Sequence, residues 1–132
     1  MLTRIPPKLP PEMEARVTAT IGCAIRVHKG LGPGFKEPIY HDAMKTELTA
    51  SALSWRSEVD ITVYYRGAPT RAQKVDLIVD GFIIVEIKAV EHLHPVHQAQ
   101  ILSYLKAARL PIGLLMNFNT THLKSQLRRF VM

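Results

Sequence analysis

The stretch IIVEIKAV occupies residues 83–90, and six of its eight residues are apolar. A run this short, apolar on both faces, suits a central strand of a sheet. Glu86 and Lys88 interrupt it two positions apart. Side chains two apart on a strand share a face, so both charges point the same way. Burying an ionised side chain is costly unless pairing, hydrogen bonding or a metal compensates. The two charges therefore need partners.

The partners have to come from the strand before it. QKVDLIVDGF, residues 73–82, leads into the stretch through Asp80-Gly81, a strong hairpin signal. A strict two-residue turn pairs Val79 with Phe82 and sets Asp76 on the face away from Glu86. A three-residue loop over Asp80 to Phe82, or a bulge with the same effect, sets Asp76 directly opposite Glu86. The second register is the one predicted, because only it brings the acids together.

Working outward, four prolines among residues 6–11 make residues 1–11 an extended arm, with a first helix beginning after Pro11. Met13, Val17, Ile21, Ala24, Ile25 and His28 recur at helical spacing. KGLGPGF, residues 29–35, forces a turn, and a second helix is expected from about Lys36 to Ala50 with Ile39, Ala43, Met44 and Leu48 inward. From Trp55 the period changes to two, predicting a strand that RGAPT breaks. After residue 90 a helix is expected from Pro95 to Arg109, with Ala99, Ile101, Leu102, Leu105 and Ala108 inward. LPIGLLMNF then makes a short buried strand, and THLKSQLRR a closing basic amphipathic helix. This order gives an α/β or α+β fold with a mixed sheet of about four strands flanked by helices. Residues 12–132 are expected to form a single domain.

The composition is that of an ordinary globular chain: 132 residues, 47% hydrophobic and 21% charged. One cysteine, Cys23, excludes an internal disulfide and a thiolate zinc site, and favours a reducing cytoplasmic setting. No segment has the apolar length of a signal peptide core or a membrane span. A formal charge of +6 favours polyanionic partners, nucleic acid above all, although charge alone does not decide this.

Two carboxylates converging from adjacent strands suit a hard divalent cation such as Mg²⁺. A lysine beside them can orient the attacking water or stabilise charge growing on a phosphate. Acid, acid and lysine on one wall is chemistry for phosphodiester hydrolysis. The competing interpretation is a salt bridge on a half-exposed strand, and the two-sided apolarity of residues 83–90 weighs against it.

These residues resemble a known pattern. DLIVDGFIIVEIK is similar to the Asp then Glu-x-Lys core of the PD-(D/E)XK nuclease superfamily, which has the restriction-endonuclease-like fold. GFKEPIY, Gly34 to Tyr40, resembles the signature of the bacterial GxxExxY proteins. VHKGLGPGF, VYYRG, AQILSYLKA and GLLMNF are similar to that family's blocks in the same order, so the likeness spans about residues 15–130. Val75 stands where the superfamily's name has proline, which removes no functional atom.

The resemblance implies roles. Asp76, Glu86 and Glu37 would bind Mg²⁺ or Mn²⁺, and Lys88 would be the catalytic lysine. For Glu37, an acid that merely stabilises a helix N-terminus is the alternative. Gln100 and Tyr104 match a Gln-x-x-x-Tyr element on the helix after the catalytic strand, against the alternative of plain core packing. Tyr40 is expected to be structural.

HLHPVH, residues 92–97, superficially suggests zinc, but a loop and helix cap explains it better, with His97 free to face the site. GLGPG follows no strand and precedes no Gly-Lys-Ser/Thr, so it is a turn and not a phosphate loop. Lys124, Arg128 and Arg129 form a basic end that either touches phosphates or is a solvated face. The expected function is metal-dependent hydrolysis of DNA, with a homodimer partner considered because no separate recognition domain is evident. RNA as substrate and a catalytically silent nucleic-acid-binding or assembly module are the alternatives.

Overall fold

The computed structural model describes residues 9–132. Residues 1–8, which hold most of the expected proline-rich arm, lie outside the described residues. Helix α1 (Pro11–Leu31) starts one residue earlier than expected, with Pro11 in its first turn, where a missing N–H costs nothing. Helix α2 (Glu37–Ala50) follows the glycine-rich turn. Strands β1 (Trp55–Tyr65) and β2 (Ala68–Val79) form a long hairpin. Its turn is confined to Arg66 and Gly67, both at positive φ, so APT belongs to β2 and not to a loop. Then come β3 (Ile83–Lys88), α3 (Pro95–Ala108), β4 (Ile112–Asn117) and β5 (Leu127–Val131).

The five strands lie in sequence order, all antiparallel except β3 and β4, which are parallel and joined by α3. Each face of the sheet has its own core. On one, α1 and α2 bring Val17, Ala24, Tyr40, Met44 and Leu48 against Leu77, Val79, Val85 and Ile87. On the other, α3 brings Ile101, Tyr104 and Leu105 against Val75, Ile78, Ile84 and Leu115. The mixed α/β class expected from sequence is the class observed.

Three local expectations fail. The closing segment is not a basic helix: Leu123–Gln126 is one 3-10 turn and Leu127–Val131 is a strand. Leu123, Leu127 and Val131 fit both helical spacing and alternation. The outer edge of the wholly buried β4 settles the choice, because β5 satisfies its open hydrogen-bonding groups. In α3 the inward set includes Tyr104, while Leu102 is 40% exposed and Ala99 also faces solvent. In α2, Tyr40 is buried and Ile39 is exposed.

Gly113 sets how closely α3 lies on the sheet. A Cβ at this position would come within 2.9 Å of Ile101 Cδ1 and 3.2 Å of Leu105 Cδ1. Lacking one, β4 lets α3 approach, and α3 carries Gln100 and Tyr104.

Candidate functional site

The β2–β3 turn combines the two geometries considered from sequence. Asp80 and Gly81 both take positive φ, and Phe82 N–H donates to Val79 O, closing a two-residue turn. Phe82 is then bulged, and Val79 pairs with Ile83. The left-handed Asp80 is held from outside: its carboxylate accepts from Ser54 N–H and Oγ, both at 3.0 Å, and from Arg16 at 2.8 Å. This register carries Asp76 to the level of Glu86.

The ladder changes there. Asp76 N–H donates to Glu86 Oε1, and Ile87 N–H donates to Asp76 Oδ2, both at 2.9 Å. Two side-chain carboxylates thus take the place of backbone acceptors between β2 and β3. Val75 and Leu77 are two apart yet pack on opposite faces of the sheet. Strand β2 therefore reverses its faces at Asp76. Across from it, Ser57 pairs with Leu77 and Val59 with Val75, leaving Glu58 between them at φ 51°. The two strands turn over together at the Glu58–Asp76 level.

That reversal lets Asp76 meet residues from the α2 side. His41 Nε2 lies 3.6 Å from Asp76 Oδ2 and 3.5 Å from Glu37 Oε1. One ligand atom from each of Glu37, His41 and Asp76 falls within 4.8 Å of the others. Glu37 and His41 of this cluster border a cleft of about 240 Å³ that Lys45, Ser57 and Glu58 also line. Sequence reasoning missed His41; its spacing four residues after Glu37, one helical turn on, was the available signal.

Tyr40 sets where α2 begins. Its hydroxyl donates to Gly32 O at 2.6 Å and accepts from Phe35 N–H at 3.2 Å, while its ring stacks on Phe118 at 4.8 Å. The glycine-rich turn is thereby fixed to the core, and Glu37 enters the first turn of α2. Gly34 at φ 104° supplies a backbone conformation that other residues resist.

Glu86 is 3% exposed, one of three buried polar or charged residues among those described. Burial, and then repulsion from Asp76, push its carboxyl up to about 8. Burial also raises Asp76, against the opposing effects of the Ile87 N–H and His41. Two acids this close and this dry resist ionising together. A divalent cation would remove that conflict, so the donor set fits one.

Lys88 lies on the α3 face with its Nζ 3.4 Å from Gln100 Oε1. Tyr104, almost buried, is pushed up to about 12 by burial and then by Glu86 and Asp76, which places its hydroxyl in the field of the acid pair. His97 caps α3, its Nδ1 accepting from His94 N–H at 3.0 Å, while His94 accepts from Val96 N–H. Burial, and then the nearby Lys88, lower the His97 pKa. HLHPVH is thus a helix cap, as expected.

The basic end divides. Arg128 pairs with Leu115, which pairs in turn with Glu86, so it lies two strands from the acid on the α3 face. Its guanidinium donates to Ser125 O and Leu127 O. Arg129 instead binds Glu14 of α1 at 2.7 Å. Lys124 borders a separate cleft with Ile25, His28 and Lys29. Asn117, which sequence did not single out, is fully buried opposite Lys88. Its amide exchanges hydrogen bonds with Val90 N–H and O, holding the chain as it leaves β3.

Among the described residues no helix is long and apolar enough to cross a membrane. No curated protein and no solved structure matches the chain. A family model, that of the PD-(D/E)XK nuclease superfamily, matches residues 14–130. The match runs from the first turns of α1 to the end of β5 and takes in Asp76, Glu86 and Lys88 on their two strands. The chain belongs to the PD-(D/E)XK nuclease superfamily.

Proposed function

We propose that the chain is a metal-dependent nuclease that hydrolyses phosphodiester bonds of DNA, a cytoplasmic protein of the GxxExxY branch. Its residues 12–132 act as one domain. One observation carries the proposal: Asp76 lies between the Glu37–His41 pair and buried Glu86, with Lys88 beyond. Glu37, His41 and Asp76 would hold Mg²⁺ or Mn²⁺, with Glu86 behind Asp76 as a further candidate oxygen. When bound, the cation would supply Lewis-acid stabilisation of the phosphate. Lys88 orients the attacking water and stabilises charge growing on the phosphate oxygens, with Gln100 steadying its ammonium. Tyr104 supports the acid pair from beneath. Arg128 reaches the flanking backbone of a DNA strand, and a second copy of the chain is the candidate homodimer partner.

The rival is a nuclease-fold module that binds nucleic acid without cutting it. Glu86 favours it, being nearly inaccessible with one oxygen taken by Asp76 N–H. Cleavage of single- and double-stranded DNA by wild type, Glu86→Ala and Lys88→Ala, with Mg²⁺ or Mn²⁺, separates the two. The nuclease reading expects metal-dependent cutting by wild type and losses of at least about 100-fold in both variants. Equal behaviour of all three overturns it, and equal binding without cutting establishes the module.

A further inference from the structure

On the α3 face, away from the acid cluster, a cavity of about 430 Å³ runs between the β1–β2 hairpin and α3. Val63, Tyr64 and Gln73 line one wall, and Ser103, Lys106 and Arg109 are on the other. The lining has two cations and no acid. Tyr64 is 64% exposed, although a tyrosine on a long hairpin could have packed against its neighbours. The groove also connects to the site. Ser103 Oγ donates to Gln100 O at 2.6 Å and lies 3.5 Å from Gln73 Oε1, and Gln100 receives Lys88.

We infer that this groove is the binding track for a single strand of DNA leading away from Lys88. The inference rests on the nuclease reading for its direction, since the track starts at Gln100 beside the proposed catalytic lysine. From Gln100 to Arg109 the helix rises about 13 Å, the length of about four stacked nucleotides. Lys106 and Arg109 face the phosphates. Tyr64 offers an open ring for a base, a contact available only where bases are unpaired. A duplex would keep its base faces covered. Ser103 is directed at Gln73 and at the Gln100 carbonyl, so the groove reads charge and base faces, which any single strand supplies.

The test is fluorescence anisotropy of the full chain with a labelled oligothymidylate, a matching duplex and an oligouridylate, in EDTA so that no cutting intervenes. Tyr64→Ala is expected to weaken single-strand binding about 5- to 150-fold, and Tyr64→Phe to restore it. Lys106→Gln and Arg109→Asn are each expected to weaken it and to flatten its salt dependence by about one charge. Asn suits Arg109 because the residue caps α3 at φ 56°. Thermal melts confirm that each variant folds. The inference is overturned if wild type binds no single strand, if the variants bind like wild type, if the duplex binds as tightly as the oligothymidylate, or if the oligouridylate fails to bind, since a groove that reads charge and base faces holds both single strands about equally. Lys88→Ala keeps the two proposals apart. Retained groove binding with no cutting by wild type refutes the nuclease and keeps the track, and cutting that ignores Tyr64 does the reverse.

Discussion

Replacing Glu86 by Gln should change how stability depends on pH. The folded protein holds the Glu86 carboxyl near 8, against 4.5 for an ordinary glutamate, because burial and Asp76 oppose its ionisation. Between those values the folded state keeps a proton that the unfolded chain releases. Stability contributed by this group is therefore full below about pH 4.5, falls as pH rises, and levels off above about pH 8. The slope is about 1.4 kcal/mol per pH unit, so from about pH 5.5 to 7.5 the metal-free wild type loses about 2–3 kcal/mol through this group. For a chain of this length that is roughly 10 °C of melting temperature. Glutamine resembles the protonated acid and still accepts the Asp76 N–H, so the variant lacks this component of the slope. Melting curves in EDTA across this range, wild type against Glu86→Gln, read the difference directly, and titrating groups remote from the acid pair cancel. The variant should become the more stable protein as pH rises. Added Mg²⁺ or Mn²⁺ should raise wild type more than the variant. Parallel pH slopes would refute the argument, since they would mean that Glu86 ionises in the folded protein as freely as in the unfolded one.

Glu58→Val should cost about 2 kcal/mol or more, because a β-branched residue resists the positive φ that the strand reversal needs, whereas Glu58→Gly should be tolerated within about 1 kcal/mol; urea midpoints decide between them. Gly113→Ala should destabilise by about 1–3 kcal/mol through its collision with Ile101, and should lower cleavage more than Tm implies if α3 is pushed off Lys88. Cleavage compared at a temperature where both proteins are fully folded measures that. His41→Ala should weaken Mn²⁺ binding by about 10-fold or more in calorimetry while weakening Mg²⁺ less, since the lost ligand is a nitrogen; unchanged Mn²⁺ affinity removes His41 from the cluster.

The sequence carried the sheet's centre because β3 and β4 are short, apolar and bounded by turn signals. It also carried the level at which Asp76 and Glu86 meet, because the turn sets the register, but not the face of Asp76, since alternation breaks at that residue. Other features were hidden for physical reasons. The closing strand was obscured by leucines and a valine that satisfy both periods, and only the open edge of β4 chooses between them. Leu102 and Tyr104 sit near each other on α3, and hydrophobicity alone ranks the leucine inward. The tyrosine is buried instead, against Val75, Ile84 and Leu115. His41 escaped notice because its value lies in Asp76, 35 positions away in the chain. Asn117 is the same case, a polar residue in a buried strand whose partner, Val90, lies beyond the element it stabilises.

The reversal at Glu58 and Asp76 explains why one aspartate can serve two faces. In a regular strand Asp76 would point wholly to one side, and a residue from α2 and a residue from the α3 face could not both reach it. The half-turn places it at the boundary, where one carboxylate accepts from Ile87 N–H across the sheet and meets His41 above it. The cost is a non-glycine residue at positive φ in β1 and a ladder closed by side chains. Side chains that replace backbone acceptors cannot be exchanged freely, so Asp76 and Glu86 are structural residues before they are anything else. Substitution by Ala at either position removes an acceptor from a buried N–H as well as a carboxylate. Asn and Gln keep the acceptor and remove the charge. The isosteric pair is therefore the sharper probe of chemistry: a loss of cleavage in Asp76→Asn with an unchanged melting temperature assigns the charge to the reaction, and a loss that follows the melting temperature assigns it to the sheet.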